Sequence, residues 1–438
     1  MSGAGRPKKT RYQIPRGMHD LLPEDLKYFQ KIFDTCDRIA SYYRFGRIET
    51  PILEQAELFT KGVGQSTDII EKQMYALKTE GGDLLALRPE YTASVARAFI
   101  EKGMEVLSKP VKLWYFGPCF RHEKPQAGRY REFWQFGFEA LGERNPVIDA
   151  QIIRLFLNIL EELKLKNLMV QINSIGDPKC RAHYKKVLTR FLKSSQAGLC
   201  SDCKKRLKQN PLRTLDCKNE KCQAIISQGP QVLDYLCKEC RAHFKEVLEF
   251  LDALKIPYRL NPYLVRGLDY YTKTVFEISC GNPSSELNQP LLSLVGGGRY
   301  DGLVKLLGGK DTPACGAAAG IERIADLMKE KEIKLKEEDL PKVFLVQLGN
   351  LARSKALILF EEFRKAKIPV YEAFSKDSLR AQLARADRFG VKYVLILGQK
   401  EVLEKKVILR DMKNGNQRTF RMGEIVEAVK TELKNNIK

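Results

Sequence analysis

Two stretches, "VKLWYFGPCFRHE" and "REFWQFGFEALG", joined by the polar loop "KPQAGRY", restrict the fold of this chain more than any other part of it. Their aromatic and β-branched content predicts two strands. In the second, Phe136 and Phe138 alternate with Gln135, Gly137 and Glu139. A two-residue period puts the aromatics on one face and the amide, glycine and carboxylate on the other. The aromatic face needs a core to pack against. A carboxylate without a partner is expensive to bury, so the polar face must look into water or a binding site. A pocket for a polar, cationic small molecule accounts for that face best.

The same neighbourhood is dense in charge: Arg121, His122, Glu123, Arg129 and Arg131 fall within eleven residues. Farther on, "LVRGLDYYTKTVFE" predicts a strand from Tyr270 to Phe276 whose entrance carries Arg266, Asp269 and the pair Tyr270–Tyr271. That is poor core material and reads as the floor of a pocket. Arg121, Arg266 and Arg323 of "GIERI" form a candidate set for triphosphate, because guanidinium binds phosphate oxygens bidentately and lysine does not. No GK[ST] phosphate loop is present, and "VGGGRYDGL" lacks the spacing of a dinucleotide fingerprint. A bound nucleotide would need another architecture.

At 438 residues the chain should form two or three domains. With 44% hydrophobic and 29% charged residues it falls among globular proteins. No apolar run reaches the length of a membrane span, and the basic start "MSGAGRPKKTRYQIPRG" lacks the apolar core of a signal peptide, so a cytoplasmic protein is expected. The net charge of +21 suits a polyanionic partner such as nucleic acid. From Pro341 to Lys438 there are 21 basic and 11 acidic residues, or 21 − 11 = +10.

The pattern along the chain predicts a mobile basic tail (1–12), a helix from Pro23 to about Tyr43 with Leu26, Phe29, Ile32 and Phe33 on one face, and a strand broken at Pro51. A strand passes to a helix across Arg88–Pro89–Glu90. The sheet-forming part spans 13–177 and resumes at 258–330, interrupted by a Cys-, Lys- and Arg-rich, mainly helical insertion at 178–257. Late in the resumed part, "LVGGGRYDGLVKLLGG" reads as a Gly-rich turn and "AAAGIERIADLMKEK" as a closing helix. After a charged linker (331–341), β-α-β-α-β alternation predicts a separate α/β domain, mostly parallel, at 342–438.

From Tyr12 onward, the chain resembles the histidyl-tRNA synthetases, which are class II aminoacyl-tRNA synthetases. The three class motifs look like "FGRIETPILEQAELF", "FRHEKPQAGRYREFWQFGFE" and "CGAAAGIERI", while "LVRGLDYY" and "GGGRYDGL" are similar to stretches peculiar to the histidine enzymes. The resemblance implies an α+β catalytic domain of antiparallel sheet and flanking helices, a mainly helical insertion, and a C-terminal α/β anticodon-binding domain. It implies ATP-dependent ligation of L-histidine to tRNA(His) through histidyl-adenylate, with Mg²⁺ accompanying ATP, in a homodimer whose contact involves the first motif. Glu90, Thr92 and Gln135 would hold the α-amino group of histidine, Glu139 and Tyr271 its imidazole, with Tyr270 shaping the slot. Arg121 would grip the α-phosphate and carboxylate, Arg266 would sit at the reacting centre, and Arg323 would meet the far phosphates. Gln126 and Arg129 would face the tRNA acceptor end or ATP. Tyr91, counted with the histidine-binding residues, stands where many relatives are expected to carry glycine, a position from which it can narrow the pocket mouth, and Glu132 stands where glutamine is usual. A slot that hydrogen-bonds a ring nitrogen rejects amino acids lacking one by roughly 10⁴-fold, so no editing domain is expected.

Seven of the eleven cysteines lie in the insertion. Cys200-x₂-Cys203 and Cys237-x₂-Cys240 form two outer pairs around Cys217-x₄-Cys222, a spacing compatible with structural zinc and equally with reduced, partly buried thiols. His122 alone among the histidines lies in a motif; His19, His183 and His243 read as surface or cap residues, and Cys119 as a packed small residue. The anticodon stem-loop would meet surface groups such as Arg380, Arg385, Arg388 and Lys392. A non-charging regulatory relative is the main rival, but such relatives tend to lack the arginine signature and the C-terminal domain.

Overall fold

The computed structural model describes residues 12–64, 67–125, 128–281, 292–335, 340–375 and 378–435. They fall into two compact units that divide after Leu335. The first begins with the helix Pro23–Tyr43, which has proline at its first position, Glu24 and Asp25 in its first turn, and a left-handed Arg44 at its end. Phe29, Ile32 and Ile39 are buried, whereas Leu26, expected on the same face, stays 46% exposed.

In chain order the strands of this unit are β1 (Gly46–Arg47), β2 (Leu53–Gln55), β3 (Ala76–Lys78), β4 (Leu84–Leu87), β5 (Val111–Phe120), β6 (Glu132–Leu141), β7 (Leu168–Ser174), β8 (Tyr258–Leu260), β9 (Thr272–Cys280), β10 (Leu292–Arg299) and β11 (Ala314–Gly320). Eight of them form one sheet in the order β1-β5-β6-β11-β10-β9-β7-β8, antiparallel except for the two edge pairs β1–β5 and β7–β8. A small sheet, β2-β4-β3, stands apart, so the break at Pro51 is a change of sheet.

One face of the large sheet carries Trp114, Phe116, Phe136, Phe138, Phe276 and Ala317 into a core shared with the helices Pro23–Tyr43, Val147–Glu162, Lys238–Ala253 and Ile321–Glu330. The other face carries Tyr115, Gly117, Gly137, Glu139 and Gly316, as the registers Tyr115↔Gly137 and Glu139↔Gly316 require.

Four expectations need correction. "LVGGGRY" is not a turn but strand β10, and Ala317–Gly320 belong to β11, the helix starting only at Ile321. Glycine and alanine fill these central strands because large side chains from elsewhere lie across them. Tyr270 and Tyr271 precede β9, which starts at Thr272, and sit in the turn that leads into it. His243 is no surface residue: it is 8% exposed and its Nε2 lies 3.3 Å from Asp149 Oδ2. Burial, followed by the charges of Arg299 and Lys273, lowers its pKa to about 3, so it is neutral there.

Arg299, wholly buried, anchors this region. Its guanidinium donates to Asp149 Oδ2 (2.9 Å), Asp301 Oδ1 (3.2 Å) and the carbonyls of Glu143 and Asn145 (both 2.9 Å).

Between β7 and β8 the chain is helical, with helices Pro178–Ser194, Ser201–Gln209, Glu220–Ile226 and Lys238–Ala253. The second unit holds β12 (Val343–Gln347), β13 (Val370–Glu372), β14 (Tyr393–Leu397), β15 (Lys406–Asp411) and β16 (Gln417–Arg421) in the order β13-β12-β14-β15-β16. The first three pair in parallel, as their alternation with helices Asn350–Lys365 and Leu379–Arg388 requires. The last two form an antiparallel hairpin that the sequence pattern did not reveal.

Replacing Arg299 by alanine strands Asp149 in the core without its cation. We expect Arg299→Ala to cost about 3–5 kcal/mol in urea unfolding, against little change for an exposed arginine such as Arg380.

Candidate active site

A cavity of about 220 Å³ opens on the glycine-bearing face of the large sheet. Glu90, Tyr91, Thr92, Arg121, Arg129, Gln135, Arg266, Tyr270, Tyr271 and Arg323 all line it. Gln126 lies outside the described residues. Glu139 does not line the cavity but lies beneath it, 1% exposed.

The acidic end is built at the junction of β4 and the helix Thr92–Glu101. Pro89 stops the strand from continuing, and Glu90 caps the helix, its carboxylate accepting from the backbone N–H of Thr92 (2.7 Å) and Ala93 (2.8 Å). The Tyr270 hydroxyl reaches the same carboxylate at 3.3 Å. Below, Glu139 collects three hydroxyls: Thr92 Oγ1 (2.8 Å) and Tyr115 (3.3 Å) on one oxygen, Tyr300 (2.6 Å) on the other. Burial raises the pKa of Glu139 to about 8, although the hydroxyls of Tyr300 and Thr92 pull it down. Burial also raises that of Glu90, against the pull of the Ala93 and Thr92 amides.

Tyr91 does not stand at the mouth. It is 1% exposed, stacked on Tyr115 at 4.1 Å with the Arg88 guanidinium 3.9 Å above its ring centre. Arg88 in turn donates to the carbonyls of Pro118 (2.8 Å) and Thr50 (2.6 Å), tying the segment before β2 to β5.

The basic end gathers four arginines from three segments. Arg121 Nε donates to the Pro89 carbonyl (2.9 Å), and its guanidinium lies 5.1 Å from the Phe133 ring centre. Arg323 donates to the carbonyls of Gly128 (3.0 Å) and Ser293 (2.8 Å). Burial, with the like charges of Arg129 and Arg121, lowers its pKa. Arg129 pairs with Glu123 at 3.5 Å. Arg266 forms an ion pair with Glu277 across the sheet face. Burial is the largest influence and works against its charge, but Glu277 together with Tyr271 and Tyr270 raises its pKa. Its Nε has no protein partner among the described residues, a donor that an anionic ligand would satisfy.

These side chains fit because the strands beneath them lack Cβ atoms. A methyl group at Gly316 would fall inside the Glu139 carboxylate, at Gly296 inside the Arg266 guanidinium, at Gly137 inside the Tyr115 phenol, and at Gly117 on the Tyr91 hydroxyl. Sequence reasoning missed Tyr115, Tyr300, Arg88 and Gly296. The cross-strand pairing of Tyr115 with Gly137 was the available signal, a phenol facing a glycine in the neighbouring strand.

Helices of the segment between β7 and β8 reach this loop. Asn210 Nδ2 donates to Asp269 Oδ1 (3.2 Å), Arg181 to the Asp269 carbonyl (3.2 Å) and Arg213 to the Arg266 carbonyl (3.4 Å). The outer cysteine pairs do not share one ligand set. Cys200 and Cys203 meet Cys217 and Cys222, whereas Cys237 and Cys240 meet Cys180 and Asp177.

The profile of the family described as histidyl-tRNA synthetase matches residues 17–324, and that of an anticodon binding domain matches residues 342–432. A protein of Halothermothrix orenii named histidine–tRNA ligase is 44% identical over 415 residues, covering 95% of this chain and 98% of its own. One of the same name from Aquifex aeolicus is 44% identical, covering 94% and 99%. The crystal structure of apo S. aureus histidyl-tRNA synthetase superimposes with a TM-score of 0.77 at 35% identity, covering 95% of this chain and 99% of that one. An antiparallel sheet with arginines and a polar slot on one face, followed by a separate α/β unit, is the architecture of a class II aminoacyl-tRNA synthetase. Within that class, the chain belongs to the histidyl-tRNA synthetase family.

The raised pKa of Glu139 gives a signed prediction. The unfolded chain ionises this group near the ordinary 4.5, whereas the folded chain keeps its proton up to about 8. The folded state therefore binds the extra proton in that window, and its stability falls as pH rises through it. Melting curves of wild type and Glu139→Gln should diverge in favour of the variant from about pH 5 to about pH 8 and run parallel above that.

Proposed function

We propose that the cavity over the large sheet joins L-histidine to ATP and then passes the histidyl group to its cognate tRNA. The overall reaction is that of the family: ATP-dependent ligation of L-histidine to tRNA through histidyl-adenylate, releasing AMP and pyrophosphate. The observation that carries the assignment is the meeting, in one cavity, of a hydroxyl-rich acidic slot with a set of convergent arginines, three half-buried and one exposed.

In this reading Glu90, Thr92 and Gln135 receive the α-amino group, and Tyr271 and Tyr270 border the imidazole. Glu139 acts from below, holding the hydroxyls of Thr92, Tyr115 and Tyr300 in fixed directions. A carboxylate oxygen of histidine attacks the α-phosphorus and pyrophosphate leaves. Arg121 and Arg266 meet the charge that develops there, and Arg323 and Arg129 meet the far phosphates. The 3′-terminal ribose hydroxyl of the tRNA then attacks the histidyl carbonyl and AMP leaves. Neither step needs a nucleophile from the chain, which agrees with Cys119, wholly buried and with its thiol pKa pushed up to about 12 by burial.

Mg²⁺ neutralises phosphate charge when it arrives with ATP. Among the described residues no group of three or more metal-ligating side chains lies in the cavity, so the donor set fits a cation carried by the nucleotide better than one held in a protein cage.

We read 13–177 with 258–330 as the catalytic domain, 178–257 as an inserted domain, 331–341 as a linker and 342–438 as the anticodon-binding part, in a cytoplasmic protein. Exposed Arg380, Arg385 and Arg388 support an RNA-facing role for the last. A homodimer through the first motif is supported by exposed Ile52, Leu53 and Leu84 around the small sheet. Sedimentation of the purified chain should give twice the monomer mass, and Leu84→Glu should shift it towards monomer.

Arg266→Ala should lower histidine-dependent ATP–pyrophosphate exchange by about 10²–10³-fold, the usual cost of one preorganised electrostatic group. Arg266→Lys should recover only part of it. Exchange unchanged in Arg266→Ala would remove Arg266 from the reacting centre.

A further inference from the structure

Away from the cavity, two sets of four side chains converge in the segment between β7 and β8. Cys200, Cys203, Cys217 and Cys222 form one; Asp177, Cys180, Cys237 and Cys240 form the other. Within each set the four ligand atoms all lie within 4.8 Å of one another. A tetrahedral zinc with Zn–S bonds of about 2.3 Å puts its sulfurs roughly 3.8 Å apart. Cys200 Sγ and Cys217 Sγ are 3.9 Å apart, and Cys237 Sγ is 3.9 Å from Asp177 Oδ2. A disulfide needs about 2.05 Å, and all eleven cysteines are free.

The backbone supplies an independent observation. In the first set the N–H of Cys203 donates to Cys200 Sγ (3.4 Å) and that of Cys200 to Cys222 Sγ (3.2 Å). In the second, Cys240 N–H donates to Cys237 Sγ (3.4 Å), Cys237 N–H to Cys180 Sγ (3.1 Å) and Cys180 N–H to Asp177 Oδ1 (2.7 Å). Amides aimed at sulfur favour the thiolate, the form that binds metal. Three of the four residue pairs repeat one arrangement. Cys200, Cys237 and Asp177 each cap a helix of nine or more residues, and the second ligand sits three positions later in its first turn.

We propose that the segment 177–240 holds two tetrahedral zinc ions, one on Cys200, Cys203, Cys217 and Cys222, the other on Asp177, Cys180, Cys237 and Cys240. The second site ties the start of the helix Pro178–Ser194 to that of the helix Lys238–Ala253, closing the two ends of the segment on each other. The first fixes the helix Ser201–Gln209, directly after which come Asn210 and Arg213, the residues that hold Asp269 and the Arg266 carbonyl. Metal in the first site therefore positions the Arg266 loop from outside the cavity. This last link rests on the proposed function of Arg266; the two metal sites do not.

The test is metal content of the full chain, purified without chelators or immobilised metal, by mass spectrometry, together with zinc X-ray absorption. Two zinc ions per chain are expected, with an averaged shell of seven sulfurs to one oxygen. Cys203→Ser and Cys180→Ser should each lose one ion. If either variant does not fold, the wild-type count and shell still decide the matter. A chain that holds no stoichiometric zinc, as purified or after zinc is added, overturns the proposal, as do disulfides found by mass spectrometry at these cysteines. A single ion with sulfur ligands alone overturns the second site. If two ions are bound and their removal leaves histidine-dependent exchange unchanged, the sites stand and the coupling to Arg266 falls.

Discussion

The polar face of the central sheet holds a carboxylate, a guanidinium and two phenols at the depth where neighbouring strands would ordinarily put their own side chains. Gly316, Gly296, Gly137 and Gly117 leave that depth open, and a single methyl at any of them would overlap the group above it. The cavity depends on this close approach. Glu139 can be wholly buried because three hydroxyls satisfy it, and those hydroxyls can reach it because nothing rises from β11 or β6 beneath them. The opposite face of the same strands carries Phe136, Phe138 and Phe276 into the core, so packing on one side fixes the register of the polar groups on the other.

Charge follows from that geometry. A carboxyl under the floor keeps its proton near neutral pH, Glu90 spends its oxygens on a helix N-terminus, and the ion pair with Glu277 lays Arg266 flat over β10. The arginines of the basic end are held by carbonyls of Pro89, Gly128 and Ser293, and so are oriented before any phosphate arrives. The segment between β7 and β8 adds a further layer, since Asn210, Arg181 and Arg213 reach the loop that carries Arg266.

How much of this the sequence disclosed follows from where side chains do their own packing. β5 and β6 were legible, with both faces of β6 assigned, because large aromatics alternate with small or polar residues at period two. β10 and β11 were misread as a turn and a helix for the opposite reason. Gly296–Gly298 of β10 have no side chains and β11 carries only glycine, alanine and Cys315, the space above them being filled by Arg266, Glu139 and Tyr300, and local composition carries no record of distant side chains. The hairpin β15–β16 was missed because it follows a parallel core whose alternation with helices had set the expectation. Tyr91 was marked as unusual, but only the structure shows its ring stacked between Arg88 and Tyr115. The cysteine spacing was compatible with metal, but the side chains that converge in the structure pair each outer knuckle with residues that spacing alone would not choose, Asp177 among them.

The central claim is that this face of the sheet recognises histidine and activates it with ATP. The most direct test is ATP–pyrophosphate exchange by the wild-type chain, run separately with each of the twenty amino acids. The account predicts exchange with histidine alone, because the slot is lined for a ring that hydrogen-bonds. Exchange with other amino acids at comparable rates, or none with histidine, would contradict it.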